Sequence, residues 1–262
     1  MRVAGYWICQ LRVGRRWFDT LYHIRHTCLS NSLDDKRRRH LNDRLIMKIL
    51  SVNVGRPRLV MRDGEPVSTG IFKEPVEGRV RVRTLNLDGD RQADLSVHGG
   101  PEKAVYVYPS EHYEFWKREL PEMDLPLGVF GENFTTEGLL ETETNIGDTF
   151  RVGSAEVMVT QPRMPCYKLG IRFGRTDIIK RFLNSERSGF YLSVLQEGEV
   201  GAGDKFELIA KNAAGVRVVD ITRLFSSDKG NVDLMRRAIA TEALPESWRE
   251  YFVNRLRGNR PD

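Results

Sequence analysis

Residues 147–170 read GDTFRVGSAEVMVTQPRMPCYKLG, a stretch that predicts a strand pair and presents a candidate reactive group. Apolar residues alternate on either side of Gly153-Ser154, which predicts a β-hairpin that turns at this dipeptide. The second strand leads into a segment in which Pro162 and Pro165 stiffen the backbone before Cys166. A thiol is therefore expected at a defined position after a strand, where functional groups are commonly displayed.

Further strand patterns lie on both sides of this hairpin. Short apolar or alternating runs predict strands within residues 48–55, 78–90, 103–109, 131–139 and 189–209, the last holding two strands around Gly198, Gly201 and Gly203. Helical spacing predicts two short helices in this region, at 111–120 after Ser110 and at 176–185 after Thr176 or Asp177. Many short strands with few helices predict a mainly β fold, with a closed or partly closed barrel-like core and short peripheral helices.

The composition changes after about residue 212. Three amphipathic segments follow, and helix starts are predicted at Asp220, Asn231 and Pro245. The predicted domains are a basic leader at 1–46, a barrel-like domain at 47–212 and a small three-helix C-terminal domain at 213–262. The three-helix domain could dock an electron donor or cap one face of the barrel, and the sequence leaves both roles open.

Bulk composition excludes several protein classes. The chain of 262 residues is 40% hydrophobic and can bury an ordinary core. No apolar run approaches the roughly 18 residues that a membrane span requires. The cysteines are Cys9, Cys28 and Cys166, an odd and sparse set that predicts a reducing, cytoplasmic compartment. Because no two of them form a C-x-x-C pair, an iron–sulfur cluster or a Cys-rich zinc site is not expected.

The positive charge is concentrated at the start of the chain. The net charge is +5 and the pI is about 9.1, values that suggest a nucleic-acid-binding protein. Residues 1–46, however, contain nine arginines and one lysine against four aspartates, so the remainder is slightly acidic and nucleic-acid binding ranks last. The leader lacks the features of a secretory signal. A strand pattern begins immediately after Met47, so we expect Met47 to be the natural start and residues 1–46 to be an upstream extension.

Cys166 itself has two interpretations. A lone cysteine is usually a small, buried apolar residue. Arg163 and Lys168, which stand on either side of it, would instead favour a thiolate, the form that attacks electrophiles and binds metals. The residues alone leave both interpretations open.

Two other segments offer polar groups or bare backbone to a ligand. His98 precedes Gly99 and Gly100, whose missing side chains allow either close approach to a ligand or a tight turn. Glu132 and Asn133 offer a carboxylate and an amide beside a glycine, or only a hydrogen-bonded turn. Both segments are therefore candidate parts of a binding site.

Several catalytic signatures are missing from the sequence. It has no G-x-G-x-x-G at a strand–helix junction, no G-x-x-x-x-G-K-[ST], no H-E-x-x-H and no G-x-S-x-G. Binding of NAD, FAD or ATP by those routes is not expected. His112 lies on a predicted helix, where a surface or packing role is expected. A metal-free hydrolase or transferase that pairs Cys166 with His98 as its base is an alternative enzyme.

Six motifs, taken in order, resemble those of the MOSC family, the molybdenum cofactor sulfurase C-terminal domain, and in particular its stand-alone YiiM-type members. They are NLDGD (86–90), VHGGPEKAVYVYP (97–109), EHYEFW (111–116), FGENF (130–134), GDTFRVG (147–153) and QPRMPCYKL (161–169). The resemblance runs from about Met47 to the end of the chain. It includes the three C-terminal helices and leaves only the leader uncovered.

The resemblance implies a barrel-like domain that holds a molybdenum cofactor, a molybdopterin with Mo. By motif, Cys166 would be the catalytic residue and the thiolate ligand of the metal, since a soft thiolate suits a thiophilic metal. Arg163 and Lys168 would contact the anionic dithiolene and phosphate. The other implied cofactor-binding residues are His98, Gly99, Gly100, Glu132 and Asn133. At the family level, molybdenum-ion and pyridoxal-phosphate binding are also implied.

The implied reaction is the reduction of small N-hydroxylated compounds, such as 6-hydroxylaminopurine-type base analogues and amidoxime-like molecules. Electrons would come from a separate flavin-containing protein, because the chain has no flavin or nicotinamide fingerprint and lacks the ferredoxin domain of some family members. A non-catalytic carrier of the cofactor or of sulfur is the non-enzyme alternative. No nucleic-acid or membrane partner is expected, while the physiological substrate, the electron donor and the oligomeric state stay open.

Overall fold

The computed structural model describes residues 47–93 and 99–258, so the leader and His98 lie outside the described residues. The strands are β1 Lys48–Val54, β2 Arg58–Arg62, β3 Glu65–Thr69, β4 Glu74–Pro75, β5 Val80–Val82, β6 Val105–Pro109, β7 Phe134–Glu137, β8 Thr149–Val152, β9 Ala155–Pro162, β10 Phe190–Gln196, β11 Gly198–Val200 and β12 Phe206–Ala210. The α-helices are α1 Glu111–Glu119, α2 Tyr167–Phe173, α3 Ile178–Asn184, α4 Val218–Phe225, α5 Val232–Ala240 and α6 Glu246–Leu256, and a 3₁₀ turn spans Pro101–Lys103.

The main sheet has the strand order β12-β8-β9-β10-β6-β7-β1-β4. Its pairs are antiparallel except β6 with β7, which are parallel. The start of β1 reaches the segment before β12, because the Ile49 amide donates to the Asp204 carbonyl over 2.9 Å and the Phe206 amide to the Met47 carbonyl over 2.8 Å. These bonds bring the two ends of the sheet together, which makes the fold mainly β and barrel-like, as predicted.

The β8–β9 hairpin confirms the prediction made from residues 147–162. Val152 pairs with Ala155 across a turn in which Gly153 has a φ of 57°, a left-handed conformation that favours glycine. Inward-facing valines such as Val157 and Val159 enter the main core. A second cluster, rich in aromatic residues, lies between β6 and helices α1 to α3. Strand β6 is buried along its whole length because it separates the two clusters.

Several local predictions were wrong. Residues 78–90 form only the short strand β5, since Leu85 is exposed in a turn that the Arg83 amide closes by donating to the Asn86 carbonyl. Residues 189–209 hold three strands instead of two. The β2–β3 hairpin and helix α2 were not predicted, because neither has a clear apolar period.

The three C-terminal helices are present as predicted, with one corrected start. Helices α5 and α6 follow Asn231 and Pro245, but α4 begins at Val218 and not at Asp220. Asp220 is the third helical residue, and its carboxylate accepts the Arg217 amide proton over 2.9 Å. The helices share the main core cluster with the sheet, and the Trp248 indole donates to Gln161 of β9 over 3.0 Å.

Substituting Asn231 by alanine is expected to lower the free energy of unfolding by about 1 kcal/mol. The Asn231 side-chain oxygen caps α5 by accepting the Leu234 amide proton over 3.0 Å, and alanine leaves that amide unpaired. Chemical denaturation measures the change. Asn254→Ala, at an exposed position inside α6, is the matched control and is expected to be neutral or slightly stabilising. Equal effects of the two substitutions would contradict the capping role.

Candidate functional site

An open cleft lies beyond the end of β9. Its walls come from the segment after β3, the loop between β5 and β6, strands β6 and β10, and the residues that follow β9. The lining residues are Thr69, Gly70, Ile71, Lys73, Arg91, Gln92, Ala93, Lys103, Tyr106, Phe130, Gly131, Asn133, Arg163, Met164, Cys166, Lys168 and Tyr191. The described lining contains five cations and no carboxylate, so the cleft suits an anionic ligand.

Cys166 is partly buried and lies at the wall of this cleft. It is the residue immediately before α2, with extended backbone angles φ −126° and ψ 172°. The segment that carries it is fixed at its start, because Pro162 pairs with Phe190 of β10 and the Arg163 amide donates to the Gly189 carbonyl over 3.2 Å. The backbone that carries the thiol is therefore held by strand β9 on its N-terminal side and by helix α2 on its C-terminal side.

Arg163 is a buried cation of the cleft that has a nitrogen without a hydrogen-bond partner in the described part of the chain. Its side chain is 5% exposed, and its Nη1 has no hydrogen-bond partner among the described residues. The guanidinium carbon lies 5.5 Å from the centre of the Tyr106 ring and 5.1 Å from that of Phe182. Burial opposes its charge, but the Tyr106 and Tyr191 phenols and the Cys166 thiol nearby outweigh burial and raise its pKa. A buried, charged donor without an acceptor is costly unless a ligand supplies the acceptor.

Two further cations of the lining are buried. Lys168 is 8% exposed on the first turn of α2. Lys73 donates to both carboxylate oxygens of Asp90 at 2.5 Å. Burial lowers the pKa of the Lys73 ammonium, and the Asp90 carboxylate counteracts part of that effect. The Lys73 charge is thus already paired, whereas Arg163 keeps an open donor.

Lys103 and the tyrosines complete the lining. Burial lowers the pKa of the half-buried Lys103 ammonium, against a smaller raising effect of Glu102. The rings of Tyr106 and Tyr191 lie 5.3 Å apart, and both face the cleft with Phe130 and Met164. The two rings are inclined at 40° to each other, so this part of the wall is aromatic but not flat.

The two residues of the GENF motif have different positions. Asn133 lines the cleft, and its amide nitrogen donates to Asp90 over 2.9 Å while its oxygen accepts the Tyr106 amide proton over 3.0 Å. Glu132 is fully buried behind the lining, where its carboxylate accepts protons from donors of its own loop and of neighbouring elements. These donors are the Tyr113 and Thr135 hydroxyls and the Gly128 and Phe130 amides.

Glu132 is therefore placed to position the loop that carries Asn133, and no side of its carboxylate faces the cleft. Burial raises the pKa of this carboxyl, an effect that the hydrogen bonds oppose.

The remaining predicted residues lie away from the described lining or outside the description. Gly99 and Gly100 precede the 3₁₀ turn, and Gly100 has a φ of 97° that favours glycine, but neither is among the described lining residues. His112 is buried and its Nε2 lies 2.7 Å from Glu141, consistent with the packing role predicted for it.

Four residues predicted for the site, Cys166, Arg163, Lys168 and Asn133, line the cleft, whereas the lining residues Lys73, Lys103, Tyr106 and Tyr191 were not predicted. The four unpredicted residues come from three chain segments distant in sequence, because only Lys103 and Tyr106 are neighbours, so no local signal reports that they share the cleft.

Among the described residues no group of three or more His, Cys, Asp or Glu side chains is placed to hold a metal ion. A metal bound in this cleft would therefore have to bring most of its own ligands, and Cys166 is the thiol that the described lining could add. No described helix has the length and apolar character to cross a membrane.

Most of the chain matches known protein families and relatives. The MOSC domain model matches residues 94–207 and the YiiM-like three-α-helix domain model matches residues 218–259. The uncharacterized protein YflK of Bacillus subtilis is 42% identical over 79% of this chain and 93% of its own length. Protein YiiM of Escherichia coli is 37% identical over 76% of this chain and 89% of its own length.

A third relative and two crystal structures extend this pattern. A protein named reductase from Gibberella moniliformis is 32% identical over 71% of this chain, which spans only 34% of that protein. Crystal structures of YiiM from Geobacillus stearothermophilus and from Escherichia coli superpose with TM-scores of 0.68 and 0.67. The Geobacillus stearothermophilus protein is 33% identical, and the match covers 80% of this chain and 99% of that protein. The Escherichia coli protein is 30% identical, and the match covers 83% of this chain and 96% of that protein. The chain therefore belongs to the MOSC family and carries the YiiM-like three-helix domain.

Proposed function

We propose that this protein is a molybdenum-cofactor-dependent reductase of small N-hydroxylated compounds. One observation carries the proposal: a buried guanidinium with an open donor, Arg163, lines the same cleft as the Cys166 thiol. This pairing of an anion-binding group with a soft metal ligand suits an anionic cofactor whose metal takes one protein thiolate. Membership of a family generally associated with the molybdenum cofactor, and the relative named reductase, support the proposal.

The residues present fit the cofactor. Arg163 and Lys168 would hold its phosphate, with the open Nη1 of Arg163 donating to an oxygen. Cys166, three residues after Arg163, would bind the metal. Asn133 and Gly131 line the same cleft, where the pterin ring would lie. The chemistry of this donor set matches a dithiolene–phosphate ligand, whose charge is negative throughout.

The apolar wall is the proposed site of the substrate. Tyr191, which is partly exposed beside the buried Tyr106, offers the aromatic side chain against which a planar purine-type base with an N–OH group can pack. Lys103 is half-buried at the same wall with a lowered pKa, so it is the described side chain best suited to donate a proton there. The side chains thus bind and orient the substrate and supply a proton to its oxygen.

When bound, the cofactor supplies the two electrons that break the N–O bond. The balanced reaction consumes one N-hydroxylated substrate, two electrons and two protons, and yields the amine and water. The chain offers no group in its described part that stores those electrons, so a flavin-containing protein is the proposed donor. A cytoplasmic location is part of the same proposal.

The test is production of the full chain in a host that makes the cofactor, followed by molybdenum and pterin analysis and a turnover assay. The assay follows conversion of 6-hydroxylaminopurine to adenine with reduced methyl viologen as a small donor. Stoichiometric molybdenum and pterin together with turnover are expected. Cofactor without turnover would favour the carrier alternative. Absence of both from a folded protein would overturn the proposal and favour the metal-free cysteine enzyme.

A further inference from the structure

Strand β9 contains a β-bulge at Thr160, close to the end of the strand that leads to the cleft. Along β10, Tyr191 pairs with Gln161 and the next residue, Leu192, pairs with Val159, so Thr160 has no partner residue in β10. A bulge takes one residue out of the regular pairing and re-aims its side chain, and bulges are frequent beside active sites. The bulge therefore gives the Thr160 side chain contacts that a regularly paired residue would not make.

The Thr160 hydroxyl lies against the backbone of two other chain segments. It donates to the Glu102 carbonyl over 2.7 Å and lies 3.1 Å from the Tyr191 carbonyl. Because a hydroxyl has a single proton, the shorter contact with Glu102 is the main hydrogen bond. Thr160 is only 1% exposed, so this bond is shielded from water and is stronger than a bond at the surface.

The two carbonyls belong to the part of the cleft in which the substrate is proposed to bind. Glu102 directly precedes Lys103, the proposed proton donor, and both lie in the 3₁₀ turn Pro101–Lys103. Tyr191 is the residue proposed to pack against the base. Lys103 and Tyr191 line the cleft, whereas Thr160 is not among the described lining residues. One buried hydroxyl thus connects the backbones of both segments from behind the lining.

The 3₁₀ turn that carries Lys103 is attached to the sheet at two points. At its end, the chain continues through Ala104 into β6, a buried strand that is paired on both sides. One residue before Lys103, the Glu102 carbonyl accepts the Thr160 hydroxyl proton. Loss of that second attachment would allow the turn to pivot about its junction with β6, and Lys103 would move relative to the opposite wall of the cleft.

The C-terminal three-helix domain supports the same attachment. Gln161 follows Thr160, and its amide oxygen accepts the Trp248 indole proton over 3.0 Å. This bond directs the Gln161 amide nitrogen towards the Glu102 carbonyl, which lies 3.5 Å away. Two donors of β9 therefore approach the Glu102 carbonyl, and the shorter bond is that of Thr160.

We propose that Thr160 is a positioning residue that sets the distance between Lys103 and the Tyr191 ring, and thereby places the N–OH group of the substrate against its proton donor. The proposal rests on the proposed function, in which Lys103 supplies a proton and Tyr191 packs against the base. Thr160 acts through the backbone of these two segments and does not touch the substrate. Proton transfer requires the donor to lie within hydrogen-bond reach of the acceptor, so a small displacement of Lys103 is expected to slow turnover.

The test compares threonine variants of the full chain. Thr160→Val removes the hydroxyl and nearly keeps the shape, whereas Thr160→Ser keeps the hydroxyl and removes the methyl group. Thr136→Val is the matched control, because Thr136 is also buried and its hydroxyl has no hydrogen-bond partner among the described residues. Circular dichroism checks folding, and Thr160→Ala, a smaller hydroxyl-free variant, replaces the valine variant if the latter does not fold.

Three quantities are measured for each variant. They are the kcat for 6-hydroxylaminopurine with reduced methyl viologen, the molybdenum content, and the rate of amide hydrogen exchange of residues 100–104 in the cofactor-free chain. The exchange rate reports the attachment of the turn without any turnover.

Thr160→Val is expected to lower kcat by at least about tenfold, because a displaced donor transfers its proton poorly. The molybdenum content should stay parental, since the contacts of the hydroxyl are with Glu102 and Tyr191 and not with the residues proposed to hold the cofactor. Exchange of residues 100–104 should be faster by roughly three- to tenfold, the effect of losing one hydrogen bond. Thr160→Ser should restore kcat and exchange towards parental values, and Thr136→Val should match the parent.

Parental kcat or parental exchange in the hydroxyl-free variant would overturn the positioning role. Equal impairment of the valine and serine variants would also overturn it, because the methyl group would then matter and not the hydroxyl. A fall in molybdenum content that accounts for the lost turnover would assign Thr160 to the cofactor site and would likewise contradict the proposal. An inactive parent would instead overturn the proposed function, whatever the exchange rates of the variants.

Discussion

Replacing Cys166 by alanine is expected to abolish molybdenum-dependent turnover while leaving the fold intact. The thiol is the one side chain of the described lining that can offer a metal a thiolate, and alanine offers no ligand. Changing groups that only support a metal ligand commonly costs 10- to 100-fold in activity, so loss of the ligand itself should cost at least about 100-fold. The side chain is small and partly buried, so the free energy of unfolding should change by about 1 kcal/mol or less.

Cys166→Ser separates the ligand role from a shape role. A hydroxyl has nearly the shape of the thiol but is a harder ligand, so weak cofactor binding with strongly reduced turnover is expected. The double variant Cys9→Ala, Cys28→Ala, which removes the thiols of the leader, is the matched control and should retain parental turnover. Metal content, pterin content and the rate with reduced methyl viologen are measured for each. Full activity of either Cys166 variant would refute the ligand assignment.

The predictable parts of the fold are those in which neighbouring residues decide the outcome. The β8–β9 hairpin follows from alternation around one glycine turn, and the start of α5 follows from a single capping residue, Asn231. The β2–β3 hairpin escaped prediction because apolar residues lie on both of its faces, the exposed Leu59 and Met61 on one and the half-buried Val60 and Val67 on the other, so its sequence shows no alternation. Helix α2 has only seven residues, with a glycine among them, and its start at a proline–cysteine pair looks like a loop.

In the candidate site, too, the predictable residues were those that lie close together in the sequence. Cys166, Arg163 and Lys168 lie within six residues of one another, so any local folding keeps them together. Lys73 and Tyr191 reach the cleft from distant segments, and no local pattern reports this. Glu132 shows the converse, because a carboxylate that looks available in the sequence is occupied by donors from other elements.

Arg163→Ala is expected to weaken retention of the cofactor by roughly ten- to a hundredfold. The open Nη1 is a charge-assisted donor to a buried anion, and loss of such a bond costs on the order of 1.5–3 kcal/mol. Arg163→Lys should recover only part of the loss, because an ammonium cannot make the two-pronged contact of a guanidinium. Molybdenum and pterin per folded chain after extended dialysis give the measurement. Arg236→Ala, which removes an exposed arginine from α5, is the matched control.

The stability of the cofactor-free chain distinguishes an anion-binding role from a packing role. A buried cation without a carboxylate partner is unfavourable by itself, so its removal relieves a desolvation cost while it forfeits the stacking on Tyr106 and Phe182. These two effects oppose each other, and the free energy of unfolding should change by only about 1 kcal/mol as cofactor retention falls. Undiminished retention with a clear loss of stability would mean that Arg163 serves only to pack the aromatic cluster. The anion would then be held by the other cleft cations, Lys168 and Lys103, and alanine variants of these two would be the next to lose it.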